Sequence, residues 1–396
     1  MRVASILHRV AGLGSDKWRV HFRARQMLAQ GEPVILLTIG EPDLPTPTEL
    51  IAATHRALQA GRTGYSNGRG EAPVLRALAA KYSARSGRTV GPDQFIWVPG
   101  TQSALFLLLM ALVEAGDEVL LADPCYATYH GLVRATGATS VPVALREARG
   151  FRLDAADLAR AVTPATRLIF LNSPHNPTGA VLTRDDVHAI GQVARAHDLW
   201  ILSDEVYESL IFDGPGVAAF ASPFDEAALA ERTVIASSLS KSHAAPGFRA
   251  GWCAGPAGFI SRLLPLAEAM LFGAQPFIAD MAAEALSGDF AITAQMRQAY
   301  ARRAGLVAQA LAAVPGLRVH PPQAGMFVML SVDGLGLDGE RFADQLLTQA
   351  RVAVMPGAAF GAASAGMVRI SLTVPDAALA EACVRIAALA RGLALR

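Results

Sequence analysis

The stretch RLIFLNSPHNPTGAVLTRDDVHAIGQVARAHDLWILSDEVY, residues 167–207, decides the fold class. Residues 167–171 and 199–203 are short apolar, β-branched runs of strand length, and the first stops at a turn sequence of Asn, Pro and Gly. Between them, residues 184–196 place apolar side chains three and four apart, the spacing of a helix that covers one face. A strand, a helix and a second strand in that order predict two parallel neighbours with the helix packed across them. The same alternation extends outward. Residues 95–98, 118–122, 139–143, 233–237 and 250–254 are further strand candidates, and residues 101–114 and 256–271 further helices. Seven strands between about residues 50 and 290 predict one large, mainly parallel sheet between helices. The ends read differently: a helix over 18–29, an apolar run at 34–39, the turn-rich 40–47, then a long helix from 291, strands at 318–320 and 326–330, and a closing helix over 376–391. Residues 1–49 and 291–396 are therefore expected to build a smaller α+β domain from both termini.

Composition removes several classes of function. At 396 residues the chain is long enough for two or three domains of roughly 100–200 residues each. Thirty-five basic against 34 acidic side chains, with no block of like charge, offer no footprint for nucleic acid. The longest apolar run, residues 104–113, is about half the length of a membrane-spanning helix. Arg9 interrupts the N-terminal apolar residues and no small-residue cleavage site follows, so a secretory leader is not expected and the cytoplasm is the expected compartment. Cys125, Cys253 and Cys383 stand too far apart for a CxxC metal site and predict buried free thiols. No metal is expected.

Ligands of such sheets bind outside the carboxyl ends of the strands, so the polar residues that follow each apolar run carry the chemistry. Those segments are Pro99-Gly-Thr-Gln-Ser103, Asp123-Pro-Cys-Tyr126, Asn172-Ser-Pro-His-Asn-Pro-Thr-Gly179, Ser203-Asp-Glu-Val-Tyr207 and Ala236-Ser-Ser-Leu-Ser-Lys241. Each has a local reading of its own: Asn before Pro starts turns, Gly100-Thr-Gln-Ser103 opening a helix suits an N-cap, and Tyr126 suits a core. The lysine count changes the balance. Of the 35 basic residues 32 are arginine, leaving Lys17, Lys81 and Lys241. A lysine amine forms a Schiff base with an aldehyde and an arginine does not. Pyridoxal 5'-phosphate is the cofactor that needs such an amine. Its phosphate calls for hydroxyls, an arginine and helix N-terminal amides, which Ser238, Arg249, Thr101 and Gln102 offer. Its ring nitrogen calls for a carboxylate, Asp204; its phenolic oxygen for donors, Asn176 and Tyr207; and its ring face for an aromatic platform, Tyr126.

In order and spacing, Gly40-Glu-Pro-Asp43, Tyr65 with Gly68, Asn176-Pro-Thr-Gly179, Ser203-Asp-Glu-Val-Tyr207, Ser238-Leu-Ser-Lys241, Arg249 and Arg369 resemble the fold-type I, class I/II pyridoxal-phosphate aminotransferases over essentially the whole chain. The resemblance implies that Lys241 is the Schiff-base lysine and proton shuttle and that Arg369 forks the substrate α-carboxylate. It also implies that Gly40 places a backbone amide on the substrate and that Tyr65 reaches the phosphate of a partner subunit, making a homodimer with shared active sites. The implied reaction is ping-pong transfer of an amino group from an amino acid to a 2-oxo acid. A β-lyase or a decarboxylase on the same fold remains open, although a carboxylate clamp at Arg369 favours loss of the Cα proton. A transcription regulator with such a domain would need a DNA-binding module that the chain upstream of residue 34 is too short to hold. His197-Asp-Leu-Trp200, Ser240-Lys-Ser-His243 and Gly325-Met-Phe-Val-Met329 resemble the arginine–pyruvate transaminases among them. The aspartate-selective branch reads the distal carboxylate with an arginine just before the helix expected at Pro276. Here residues 266–278 hold no Arg or Lys and one carboxylate, Glu268, so a basic donor is expected if Glu268 faces the pocket.

Overall fold

The computed structural model describes residues 1–11 and 16–395. All seven expected strands form, each within a residue or two of its sequence bounds: Phe95–Pro99, Glu118–Asp123, Thr139–Ala144, Thr166–Asn172, Trp200–Asp204, Thr233–Ser238 and Ala250–Ala254. They make one sheet. Numbered one to seven in that chain order, their spatial order is 1-7-6-5-4-2-3. Only Ala250–Ala254 runs against the rest, pairing antiparallel with both Phe95–Pro99 and Thr233–Ser238. The carboxyl ends of the other six therefore share one edge with the amino end of the seventh, which is how Arg249 comes to stand beside Lys241.

Both faces of this sheet are covered, because neighbouring apolar residues along each strand pack in opposite directions. Ile96, Val98, Leu168 and Phe170 meet the helices Gly100–Leu112 and Ala257–Leu271. Phe95, Trp97 and Trp252 meet the helices Ala72–Ser86 and Pro276–Ser287, and Ile169 and Leu171 meet the helix Arg184–Ala196. Each such side chain contributes about 1.5–3 kcal/mol by leaving water. The helix expected over 101–114 stops at Leu112, where Val113 turns extended. No side chain caps its start, in contrast to the N-cap expected of that segment; Ser103 Oγ instead donates backward to the Pro99 carbonyl at 3.1 Å.

A second sheet of five strands joins residues from both ends of the chain in the order Ile35–Leu37, Val352–Pro356, Met367–Ser371, Phe327–Ser331, Arg318–His320. Two of these, Val352–Pro356 and Met367–Ser371, were not expected from the sequence. The helices Arg19–Ala29, Ala291–Leu311, Gly339–Ala350 and Asp376–Ala394 enclose the core of this part. Cys125, Cys253 and Cys383 are buried free thiols. Among the described residues no helix is long and apolar enough to cross a membrane.

The two glycines Gly100 and Gly251 fix the contact between the antiparallel strand and the start of the helix Gly100–Leu112. A Cβ on Gly251 would lie 2.5 Å from Cα and 2.6 Å from the carbonyl carbon of Gly100, whose φ of +82° itself favours glycine. Gly251→Ala is accordingly expected to destabilise the chain by roughly 1–3 kcal/mol through overpacking against backbone, read as a lower unfolding midpoint in denaturant. An unchanged midpoint would show that the contact yields freely.

Candidate active site

One cavity of about 500 Å³ opens at the shared strand edge, between the two sheets. Its wall contains Gly40, Thr101, Gln102, Tyr126, Asn176, Asp204, Tyr207, Ser238, Lys241, Arg249 and Arg369. Every site residue expected from the sequence is thus brought together, with one exception. Tyr65 lies outside, 91% exposed, its ring edge-on to that of Phe272 at 5.1 Å. Glu268 is also absent from the cavity wall, and its side chain lies against Gly68.

Lys241 sits on the short helix Leu239–Ser242 directly after its strand, and its Nζ donates to the Gly40 carbonyl at 2.6 Å. Gly40 therefore turns its oxygen to the lysine here. Burial lowers the amine to about 8; Glu41 and Asp204 oppose this, and Arg369 and Arg249 add to it. Among the three lysines Lys241 alone lines the cavity. Lys81 instead pairs with Glu208, and Lys17 donates to the Ala127 carbonyl at 3.2 Å.

At one end, Thr101 Oγ1 donates to Ser238 Oγ at 2.8 Å, and Arg249 borders the uncapped start of the helix Gly100–Leu112. Hydroxyls, a guanidinium and free helix amides converge there, which is a setting for a phosphate. A Cβ on Gly100 would strike the Arg249 guanidinium, so the cradle requires glycine at its floor.

Deeper in, Asp204 ends its strand 4% exposed. Its Oδ2 accepts from the Tyr129 hydroxyl at 2.7 Å and its Oδ1 from the Val206 amide at 3.1 Å. Burial still pushes it up to about 6, because no guanidinium or ammonium is in ion-pair contact with it among the described residues. A protonated ring nitrogen would supply that missing cation. Tyr207 stands nearby, with Asn176 Nδ2 3.5 Å from its hydroxyl, and burial holds both Tyr207 and Tyr126 as neutral phenols.

Arg369 is the deepest cation. It is 2% exposed, lies between the rings of Phe327 and Phe360 at 3.8 and 4.5 Å, and donates to Asn176 Oδ1 at 3.0 Å and the Thr38 carbonyl at 2.7 Å. Its Nε has no partner among the described residues. Burial lowers it to about 10, which leaves it charged at neutral pH. Tyr129, Phe360 and Trp18 were not among the site residues expected from the sequence, and Phe327 lies inside an apolar run where an aromatic residue looks like core.

An anion cradle, an amine of lowered basicity, a buried carboxylate that lacks a cation and a buried guanidinium that lacks an anion meet in this one cavity. The chain belongs to the aminotransferase class I and II family, whose sequence profile matches residues 32–386. It is similar to the arginine–pyruvate transaminase AruH of Pseudomonas aeruginosa, 43% identical over 387 residues and 98% of each chain. The aspartate aminotransferase of Musicola paradisiaca is 33% identical over 93% of this chain and 92% of its own. Among solved structures, the Thermus thermophilus aspartate aminotransferase with maleate superposes with a TM-score of 0.90 at 34% identity, over 98% of this chain and all of that one. The protein is an aminotransferase.

The lowered amine gives a direct test. In cofactor-free protein, acylation of Lys241 followed by mass spectrometry should accelerate as pH rises through about 8, where the neutral nucleophile forms, and not near the ~10.4 of an ordinary lysine. A midpoint near 10 would show that burial does not act on this amine.

Proposed function

We propose that this aminotransferase works with pyridoxal 5'-phosphate held by Lys241, that it takes a donor with a cationic side chain, and that two copies share their sites. The observation that carries the cofactor assignment is the single wall on which Lys241, Asp204, Arg249 with Ser238 and Thr101, and Arg369 all stand. Bound there, the cofactor supplies an aldehyde that takes up the amino group and a protonated ring that draws electrons from Cα. Arg249, the two hydroxyls and the amides of Gly100 to Gln102 would hold its phosphate. Asp204 would keep its ring nitrogen protonated, Asn176 and Tyr207 would serve its phenolic oxygen, and Tyr126 would support its ring face. Arg369 has two of its five N–H donors engaged and offers the others to the α-carboxylate. The Lys241 amine then takes the Cα proton, and its lowered basicity leaves a useful neutral fraction near neutral pH.

The donor assignment rests on charge. Lys241, Arg249 and Arg369 are the cations of the described cavity wall and each already has a role, so a second carboxylate on the substrate finds no reader. Leaving that charge unpaired in a closing site costs roughly several kcal/mol. The 43% identity to an arginine–pyruvate transaminase supports arginine as donor and pyruvate as acceptor. Glu268, beside Gly68, shares an exposed face with Tyr65 and Phe272, and a partner subunit seated on that face would receive Tyr65 and Glu268 together. The proposed setting is a cytoplasmic homodimer, with residues 50–290 as the large cofactor-binding domain and residues 1–49 and 291–396 as the small one.

Two experiments test this. Lys241→Ala and Lys241→Arg should both lose multiple turnover, and borohydride treatment of the loaded wild type should fix the cofactor mass on Lys241; mass on Lys17 or Lys81 would overturn the assignment. In a donor panel against pyruvate, a basic amino acid should lead in kcat/KM and aspartate should trail. Glu268→Gln should cost the basic donor about 1–3 kcal/mol. A lead by aspartate, or release of ammonia by elimination, would favour the aspartate or β-lyase reading.

A further inference from the structure

Tyr129 opens the helix Tyr129–Thr136 directly beneath the cavity, 2% exposed, its ring tilted against Phe170 at 4.3 Å and edge-on to Tyr126 at 5.5 Å. Its hydroxyl makes one hydrogen bond among the described residues, the 2.7 Å donation to Asp204 Oδ2. No other side chain among the described residues donates to that carboxylate. Asn172 Nδ2 binds the Asp204 backbone carbonyl at 3.1 Å instead. The remaining groups that act on Asp204 are the Val206 amide on Oδ1, the Lys241 ammonium, and the phenols of Tyr126 and Tyr207. Burial holds both phenols neutral, so they bring no charge to the carboxylate.

We propose that Tyr129 is a positioning residue that keeps Asp204 ionised and turned toward the cavity, so that the carboxylate can hold a protonated ring nitrogen. The inference rests on the reading that Asp204 faces the cofactor ring. Its physical basis is that a hydrogen bond donated to a carboxylate favours the charged form, against a desolvation that favours the neutral one. Burial raises the Tyr129 phenol well above its ordinary range, so it remains a donor throughout the working pH. With Asp204 at about 6 in the cofactor-free chain, the balance lies close to neutrality, where one hydrogen bond shifts it measurably. The direction follows from linkage: losing the donor moves the carboxyl further up, and a cofactor that requires the ionised form then binds less well as pH falls toward 6.

The test is cofactor affinity, measured by quenching of tryptophan fluorescence in cofactor-free protein between pH 6 and pH 8. Titrations of the free cofactor and of Lys241 are common to all variants and cancel when each dissociation constant is divided by that of the wild type. For Tyr129→Phe, which keeps the ring packing, that ratio should rise several-fold from pH 8 to pH 6. Site-specific 3-fluorotyrosine at position 129, a stronger donor of nearly the same shape, should lower the ratio at pH 6 and keeps the test open if Tyr129→Phe folds poorly. In an Asp204→Asn background, adding Tyr129→Phe should change affinity less than two-fold, because the partner it acts through is gone. A pH-independent ratio, or the same weakening with Asp204→Asn present, would reduce Tyr129 to a packing residue and overturn the inference. If Asp204→Asn alone binds cofactor as the wild type does, the assignment of Asp204 falls first and the inference with it.

Discussion

A buried guanidinium without a carboxylate partner organises this molecule. Arg369 belongs to the five-stranded sheet, yet its bonds run to Asn176 on the loop after a strand of the seven-stranded sheet and to the Thr38 carbonyl in the N-terminal segment. Three separated parts of the chain meet on one side chain. Taking a charged group out of water costs several kcal/mol even after relaxation, and here the compensation comes from two aromatic faces, the Asn176 side-chain oxygen and the Thr38 carbonyl. No carboxylate pairs with it among the described residues. The cavity thus carries a standing excess of positive charge at its inner end, matched at the other end by Arg249.

The amino-acid pattern discloses the large sheet and most of the cavity wall because both obey local rules. Apolar runs of five or six residues mark buried strands, and polar residues directly after them, Asn176, Asp204, Lys241 and Thr101, fall at the edge where ligands bind. What the pattern hides has physical causes. The strand Met367–Ser371 carries Arg369 at its centre, and a charge in a fully buried strand breaks the apolar run by which strands are recognised. Val352–Pro356 ends in proline beside an alanine- and glycine-rich tract that reads as loop. The antiparallel strand Ala250–Ala254 looks like its parallel neighbours, since both kinds are apolar when both faces are covered. Tyr129 lies within an amphipathic helix where a phenol is indistinguishable from core until its hydroxyl is located.

Behind the Asp204 loop lies a second layer of charge. Arg85 contacts Glu205, Glu208 and Asp225, and Lys81 also pairs with Glu208. Glu205 is pushed up to about 7 by burial even with Arg85 beside it, and its carboxyl accepts from the Ser222 hydroxyl. This cluster anchors residues 205–208 from below while Asp204 and Tyr207 face the cavity from the same loop. It also accounts for Lys81 without any catalytic part: its ammonium lies 5.7 Å over the Trp252 ring while it bonds a buried carboxylate.

The glycine-on-glycine contact of Gly100 and Gly251 divides the cavity for anyone who would redesign it. Arg249, held at a positive φ of 53°, the strand it opens and the helix start that faces it form one body with no room for an added methyl group. Random mutagenesis around that end would return mostly dead clones, whatever ligand is being selected for. The opposite wall is assembled from Trp18, Ile39 and Glu41, side chains of loops and a short turn. Libraries built on Trp18 and Ile39 alter the side chains of that wall without touching the glycine contact, whereas Glu41 also acts on the Lys241 amine and is not free in the same way.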